Sequence, residues 1–339
     1  MAFIYDYGLF AAKSITFVVV VALGLITIIS AIARQKANKG ELQLTDLSAD
    51  YKHNKQHLTE SLLTKEQRKV FLKQQKKEAK AQKKQDAETT KSRLFLIDFK
   101  GGMDAKEVSS LREEISAVIS MAKSDDEVLV RVESGGGVVH GYGLGASQLQ
   151  RLRDKGLFLT VSIDKVAASG GYMMACVAQK IIAAPFAIVG SIGVVAQMPN
   201  FNRLLKKHDV DIELHTAGQF KRTLTIFGEN DDKAREKFKA ELETVHQQFK
   251  QFVSEHRPRM DIDQIATGEH WLAAEAKKLG LVDELKTSDD YLLSQFENKQ
   301  VIKVAYHNKK GLAERFSNAA SLAVENAIYR VIETCKIPF

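Results

Sequence analysis

With 339 residues and 45% hydrophobic side chains, the chain can build one large domain or two small ones around a real core. Its formal charge of +7 is local: residues 34–93 carry 16 Lys/Arg against 8 Asp/Glu, so residues 94–339 stand near −1 and show no nucleic-acid footprint. Two cysteines, Cys176 and Cys335, make no disulfide framework, and nine scattered histidines without HExxH or CxxC spacing give no metal site, so no cofactor is expected.

From Ser14 to Ala33 no residue is charged, and the run includes ITFVVVVALGLITIIS. At about 1.5 Å per residue such a helix crosses a hydrocarbon layer of roughly 30 Å. Ala31-Ile32-Ala33 resembles a signal cleavage site. The apolar run nevertheless exceeds the roughly 7–15 residues of a signal peptide, and only Lys13 precedes it, so a retained single-pass anchor is expected. Residues 34–92 then read as a basic charged linker, a solvated helix or tether with anionic lipid contact as a secondary role.

At Arg93 the periodicity changes. RLFLIDF reads as a strand, KEVSSLREEISAVISMA as a helix and EVLVRVE as a second strand ending in SGGGVVHGYG. SQLQRLRDKG continues a helix, LFLTVSI is a third strand, and VAASGGYMMACVAQ opens another helix. KIIAA, SIGVV and DIELHTA read as short strands, 231–257 as a long amphipathic helix, and WLAAEAKKLGLVDEL as a short helix ending at Gly280. Strands alternating with helices predict an α/β domain over residues 93–300. In the 301–339 tail, Leu312, Phe316, Ala319, Ala320, Ala323, Ala327, Ile328 and Val331 make an apolar stripe that must be buried against its own domain or a partner.

Three places carry chemistry. Ser134-Gly135-Gly136-Gly137 follows a strand, where glycines let backbone N–H groups approach an oxyanion; a plain strand–helix turn is the alternative. Ala167-Ala168-Ser169-Gly170-Gly171 presents a serine at a helix start, either as a nucleophile beside the Gly170 N–H or as a simple N-cap. Gly218-Gln219-Phe220-Lys221 sets a lysine beside Phe220, Leu224, Ile226 and Phe227. A lysine acts as a base only when neutral, roughly one molecule in a few thousand at pH 7 from the reference value, so apolar surroundings are needed. Alone, Lys221 reads as an exposed loop lysine.

Together the three motifs resemble the signal peptide peptidase A family of serine peptidases, and most closely its SohB-type membrane peptidases. ESGGG at 133–137 is similar to that family's Asn-Ser-Pro-Gly-Gly loop, VAASGGYMMA to its nucleophile turn and GQFKRT to its lysine loop. The resemblance implies a Clp/crotonase-like fold and a Ser–Lys dyad of Ser169 and Lys221, with Ser191 of GSIGVV orienting the lysine. It implies an oxyanion hole from Gly136 or Gly137 with Gly170, peptide substrates such as remnant signal peptides, and a homo-oligomeric ring in the bacterial inner membrane. Glu133, Gly135 and Ile226 depart from the pattern's Asn, Pro and Pro, which bears on substrate preference. Arg34, Lys36 and Lys39 after the anchor favour a cytoplasmic catalytic domain. The resemblance implies the opposite face, and the periplasmic side is the expectation adopted.

Rival readings rest on single features. His140 suggests a Ser-His-Asp triad, but the stretch about 25 residues past Ser169, where Clp peptidases carry their histidine, holds none. Gly141-Tyr142-Gly143-Leu144-Gly145-Ala146 fits a dinucleotide fingerprint, yet Gly141 lies eight residues past the strand that it should adjoin. An acyl-CoA hydratase or isomerase of the same fold needs neither anchor nor Ser–Lys pair, and a non-catalytic membrane scaffold is the remaining class.

Overall fold

The computed structural model describes residues 40–85, 91–218 and 220–307. The expected anchor (14–33), the apolar stripe of the tail (312–331), Gln219 and Cys335 lie outside the described residues. Among the described residues no helix is long and apolar enough to cross a membrane. The chain divides into two units, Met1–Leu42 with Tyr306–Phe339, and Gln43–Ala305; every candidate site residue belongs to the second.

In chain order, β1 (Glu41–Asp46), α1 (Leu47–Leu62) and α2 (Lys65–Gln85) precede a strand–helix alternation. That alternation is β2 (Arg93–Lys100), α3 (Val108–Met121), β3 (Glu127–Glu133), α4 (Val139–Asp154) and β4 (Phe158–Ile163). Then come β5 (Val166–Ala168), α5 (Gly170–Ala175), β6 (Lys180–Ala183), β7 (Ile188–Gly190), α6 (Asn202–Lys207), α7 (Asp232–His256) and α8 (Ile262–Ile265). The last described elements are β8 (His270–Leu272), α9 (Ala273–Lys278), β9 (Glu284–Leu285), α10 (Ser288–Gln295) and β10 (Gln300–His307).

The expected α/β class is what the chain adopts. The main sheet runs β1-β10-β2-β3-β4-β6-β9, and each pairing from β10 to β9 is parallel. Parallel neighbours need a crossover, which α3 and α4 supply. Because β2 is covered on both faces, it reads as a continuous apolar run. Phe95, Ile97 and Phe99 enter one core with Val128, Val130, Leu111, Ile115 and Leu149. Leu94 and Leu96 enter another with Leu129, Ile182, Tyr291 and Val301. Each such side chain, fully buried, contributes about 1.5–3 kcal/mol of transfer free energy.

Three expected boundaries differ. Gln300–His307, expected to open the tail, is strand β10 beside β2. The linker's first turns are docked: Ser48 Oγ accepts from Val301 N at 2.8 Å, and Tyr51 stacks on Phe296 at 4.5 Å. DIELHTA forms no strand. Its Ile212 and Leu214, with Val210 just before them, stay exposed, and no strand of the described residues lies alongside to pair with it. Cys176 is the expected buried thiol, donating to Met173 O at 3.2 Å, and burial pushes its pKa up.

One ion pair fixes where β2 starts. Asp126 accepts from Arg93 N at 2.7 Å, Arg93 Nε at 3.0 Å, Arg93 Nη2 at 2.6 Å and Lys123 N at 2.8 Å. It ties the first residue of β2 to the turn before β3. Burial pushes the Asp126 carboxyl up, but the Arg93 guanidinium and the two N–H groups outweigh that and hold it below its ordinary value. A lowered folded value gives stability that is full above the unfolded value, near pH 4, and is lost as pH falls through the folded one. Asp126→Ala should cost about 3 kcal/mol, since it strands a half-buried guanidinium. In urea titrations it should also flatten the loss of stability below about pH 4.

Candidate active site

The site begins where β3 runs out. Ser134 N donates to Val166 O at 2.9 Å, and Ala168 N donates to Ser134 O at 3.0 Å, so Ser134 bridges in parallel to Ala167. Ala167 is in turn paired with Val189 across β5 and β7. Two residues beyond each member of this trio stand Gly136, Ser169 and Ser191. Contacts past the pairing keep them side by side. Ser169 N donates to Gly190 O at 2.8 Å. A Cβ placed on Gly136 would lie 2.7 Å from Ser169 Cβ and 2.8 Å from Gly170 N.

Ser169 is not a simple N-cap. It stands at the N-cap position of α5, but its side chain makes no cap hydrogen bond, and its backbone has φ 52° and ψ −118°. For a non-glycine residue such a conformation costs about 1–3 kcal/mol, and it persists only where surrounding structure enforces it. Ser191 shares the feature, with φ 53° and its N–H given to Glu269 O at 2.6 Å. The turn at Gly190 (φ 109°) and Ser191 ends β7, so the strand expected at SIGVV does not form; the strand observed is Ile188–Gly190. His246 Nε2 donates to Ile192 O at 3.3 Å and ties this turn to α7.

The glycine loop sits on the other side of Ser169. Gly136 has φ 91°, a conformation that a side chain resists, and its N–H donates to Ser134 Oγ at 3.0 Å. The N–H groups of Gly137 and Gly170 have no acceptor among the described residues. Gly170 is buried, so its N–H beside the serine is a preformed donor for an anionic oxygen. Glu133, which departs from the family pattern, is met by Lys100 at 3.1 Å and Lys165 at 3.3 Å, and Lys100 foremost holds its carboxyl below its ordinary value.

Lys221 is not part of this cluster. It is exposed, its N–H donates to Gly218 O at 3.1 Å, and its ammonium has no hydrogen-bond or ion-pair partner among the described residues. The loop is pinned at its far end, where Phe201 N donates to Ile226 O at 2.7 Å and Asn202 Nδ2 to Phe227 O at 2.9 Å. Phe220, Ile226 and Phe227 nonetheless remain 48%, 37% and 49% exposed. His140 is exposed in the first turn of α4. No group of three or more His, Cys, Asp or Glu among the described residues is placed to hold a metal.

The residue that sequence reasoning missed is Tyr142. It is fully buried, its hydroxyl meets Ser134 Oγ and donates to Gly102 O at 2.8 Å, and its ring lies under Gly170. Its place inside GYGLGA drew attention to the glycines instead.

A family model described as Peptidase family S49 N-terminal matches residues 2–149, and one described as Peptidase family S49 matches residues 151–302. The chain belongs to peptidase family S49. Its similarity to a probable protease SohB of Haemophilus influenzae is 50% identity over 334 residues, 96% of this chain and 95% of that one. A probable protease SohB of Buchnera aphidicola (subspecies Schlechtendalia chinensis) is 50% identical over 87% of this chain and all 100% of its own. A putative protease of Methanocaldococcus jannaschii is 29% identical over 62% of this chain and 70% of its own. This family S49 member is thus a serine peptidase whose substrates are peptides or proteins, and the dinucleotide, acyl-CoA and scaffold readings fall away.

The packing yields a paired test on adjacent glycines. Gly136→Ala drives a Cβ into Ser169 and should lower peptide cleavage by about 100-fold or more, the loss seen when an oxyanion donor is displaced. Gly135→Ala meets nothing within 4 Å and should cleave at close to the wild-type rate. Steady-state kinetics on both proteins, with circular dichroism to confirm folding, checks the contrast.

Proposed function

We propose that this family S49 peptidase cleaves peptide bonds with Ser169 as nucleophile and Lys221 as its base, in a membrane-anchored homo-oligomer. The observation that carries the reading is the strained backbone of Ser169, wedged between the glycine loop and Ser191, with the Gly170 N–H beside it. Strain at a serine whose side chain serves no cap fits a group held for reaction rather than for stability.

In this mechanism Ser169 Oγ attacks the scissile carbonyl carbon while neutral Lys221 Nζ takes the hydroxyl proton. The carbonyl oxygen becomes an oxyanion, held by Gly170 N–H and by Gly137 N–H, the Gly136 N–H expected as the alternative being engaged by Ser134 Oγ. As the C–N bond breaks, Lys221 returns the proton to the leaving amine and an acyl-serine remains. Water, deprotonated by the same lysine, then hydrolyses the ester. Ser191, which like Ser169 directly follows the β5–β7 pairing, is the residue assigned to orient the amine.

Lys221 requires apolar cover that the described residues leave unfinished. Its neighbours Phe220, Ile226 and Phe227 are exposed, and so are Val210, Ile212 and Leu214 just before it. A second copy laid on this segment buries those side chains, removes water from the ammonium and brings a lysine to a serine. The ring and the shared dyad follow from that need. The finer fold assignment is Clp/crotonase-like, supported by parallel βαβ units and a small second sheet, β5-β7-β8, that carries the nucleophile. The uncharged run 14–33 supports a single-pass anchor in the inner membrane, with the catalytic domain on the periplasmic face. Short or unfolded peptides, remnant signal peptides among them, are the substrate class.

Ser169→Ala and Lys221→Ala should each lower kcat for a fluorogenic peptide by at least about 1000-fold, and the double variant should be little worse, because the pair acts as a unit. Co-assembled mixtures of the two single variants should regain part of the activity. Lys221→Ala cleaving at the wild-type rate removes the lysine from the mechanism, and absent complementation in mixtures that do co-assemble places both residues in one subunit.

A further inference from the structure

The glycine loop and the turn after the nucleophile come from different segments, β3 to α4 and β5 to α5, so something must hold their N–H groups at a fixed separation. Tyr142, on the first turns of α4, touches both. Its ring lies against Gly170: a Cβ there would be 2.4 Å from Tyr142 Cγ. Its hydroxyl hydrogen-bonds to Ser134 Oγ, and Ser134 Oγ accepts the Gly136 N–H at 3.0 Å. The hydroxyl proton of Tyr142 goes to Gly102 O at 2.8 Å.

These bonds have one consistent direction. Gly136 N–H donates to Ser134 Oγ, whose hydrogen donates to Tyr142 Oη, whose hydrogen donates to the Gly102 carbonyl. Each hydroxyl gives one hydrogen and accepts one, so neither can turn away without breaking two bonds. The chain is buried: Tyr142 is 0% and Ser134 3% exposed, so water does not readily replace a lost partner. Phe99 meets the Tyr142 ring edge-on, with centroids 6.3 Å apart, and confines its tilt. Burial also raises the Tyr142 pKa, which keeps the phenol a donor across the neutral range.

Other features of the described residues carry less. Cys176 is a buried part of the core, and the Arg257–Asp283 pair ties α7 to the segment before β9 at the surface. The apolar segment before Lys221 already belongs to the proposed assembly.

We infer that Tyr142 and Ser134 are positioning residues of the oxyanion hole, holding the Gly136–Gly137 backbone against Ser169 and Gly170 so that two N–H groups converge on one oxygen. The inference rests on the reading of Ser169 as nucleophile. Neither residue touches substrate; both act through the glycine backbone. Removing the Tyr142 hydroxyl leaves the ring on Gly170 but frees Ser134 to rotate, and Gly136 with it. Such a change weakens binding of the tetrahedral oxyanion and leaves binding of the planar substrate untouched.

The test uses the full-length enzyme with Tyr142→Phe, Ser134→Ala, the double variant and Ser134→Thr, which keeps a hydroxyl. Tyr142→Phe and Ser134→Ala should each lower kcat by about 10- to 100-fold, less than loss of a whole donor, with KM changed by less than about twofold. The double variant should match the worse single one, because the two hydroxyls form one chain. Ser134→Thr should recover most of the rate. Affinity for a peptide aldehyde, whose hemiacetal oxygen occupies the hole, should fall in proportion to kcat/KM, while affinity for the cleaved product peptide stays constant. Equal losses in aldehyde and product affinity, or a kcat that holds in both single variants, overturns the positioning role. Ser169→Ala measured alongside separates the failures: if it cleaves normally the nucleophile assignment is wrong, and if it is inactive while Tyr142→Phe is fully active only the positioning role is lost.

Discussion

Everything at this site depends on the parallel register that aligns Ser134, Ala167 and Val189. Backbone hydrogen bonds set it, so it costs no side chain its freedom to do chemistry. Two residues downstream the same alignment delivers a glycine, a serine and a second serine to one edge, from segments far apart in sequence. Parallel strands end together, and loops leaving their carboxyl ends crowd into one crevice, which is where open α/β sheets place their ligands. The large sheet supplies the rigid platform through β3, and the small sheet extends it through β5 and β7.

A platform of this kind can hold strain. Ser169 and Ser191 both take φ above 50°, next to each other, in a chain where only two other non-glycine residues among those described do so. Their N–H groups are each anchored to a carbonyl, Ser169 to Gly190 O at the end of β7 and Ser191 to Glu269 O just before β8. Each strained residue is thus held by a segment other than its own turn. The closeness of Gly136 completes the constraint, since its missing side chain is what lets the loop reach Ser169.

How much of this was legible in the sequence follows from what each feature depends on. The strands 93–99, 127–133 and 157–163 were readable because burial on both faces demands long apolar runs. That Gly136, Ser169 and Gly170 lie together was readable because both small-residue clusters follow strands of one alternating pattern. DIELHTA misled because alternation reports a surface that wants a partner, and no strand of the described residues lies beside it. The docking of Ser48 and Tyr51 was hidden inside a charge run whose average character is that of a tether. Tyr142 was invisible for a different reason: its contacts at Gly102, Ser134 and Gly170 span three loops, and no local pattern encodes that.

Lys221 stands apart from the cluster at Ser169, exposed among the described residues. In the proposed mechanism it must be desolvated to act as a base, whereas a strained serine can be stored in a single fold. In the proposed assembly the cover of Lys221 comes from a second copy of the chain. If Ser169 carries the nucleophilic oxygen as proposed, a fluorophosphonate that inactivates the full-length enzyme must react there. Peptide mass spectrometry of the inactivated protein should find one phosphonyl group, on Ser169, appearing in step with loss of activity. Stoichiometric labelling of any other residue, or full inactivation with Ser169 unmodified, would contradict that assignment.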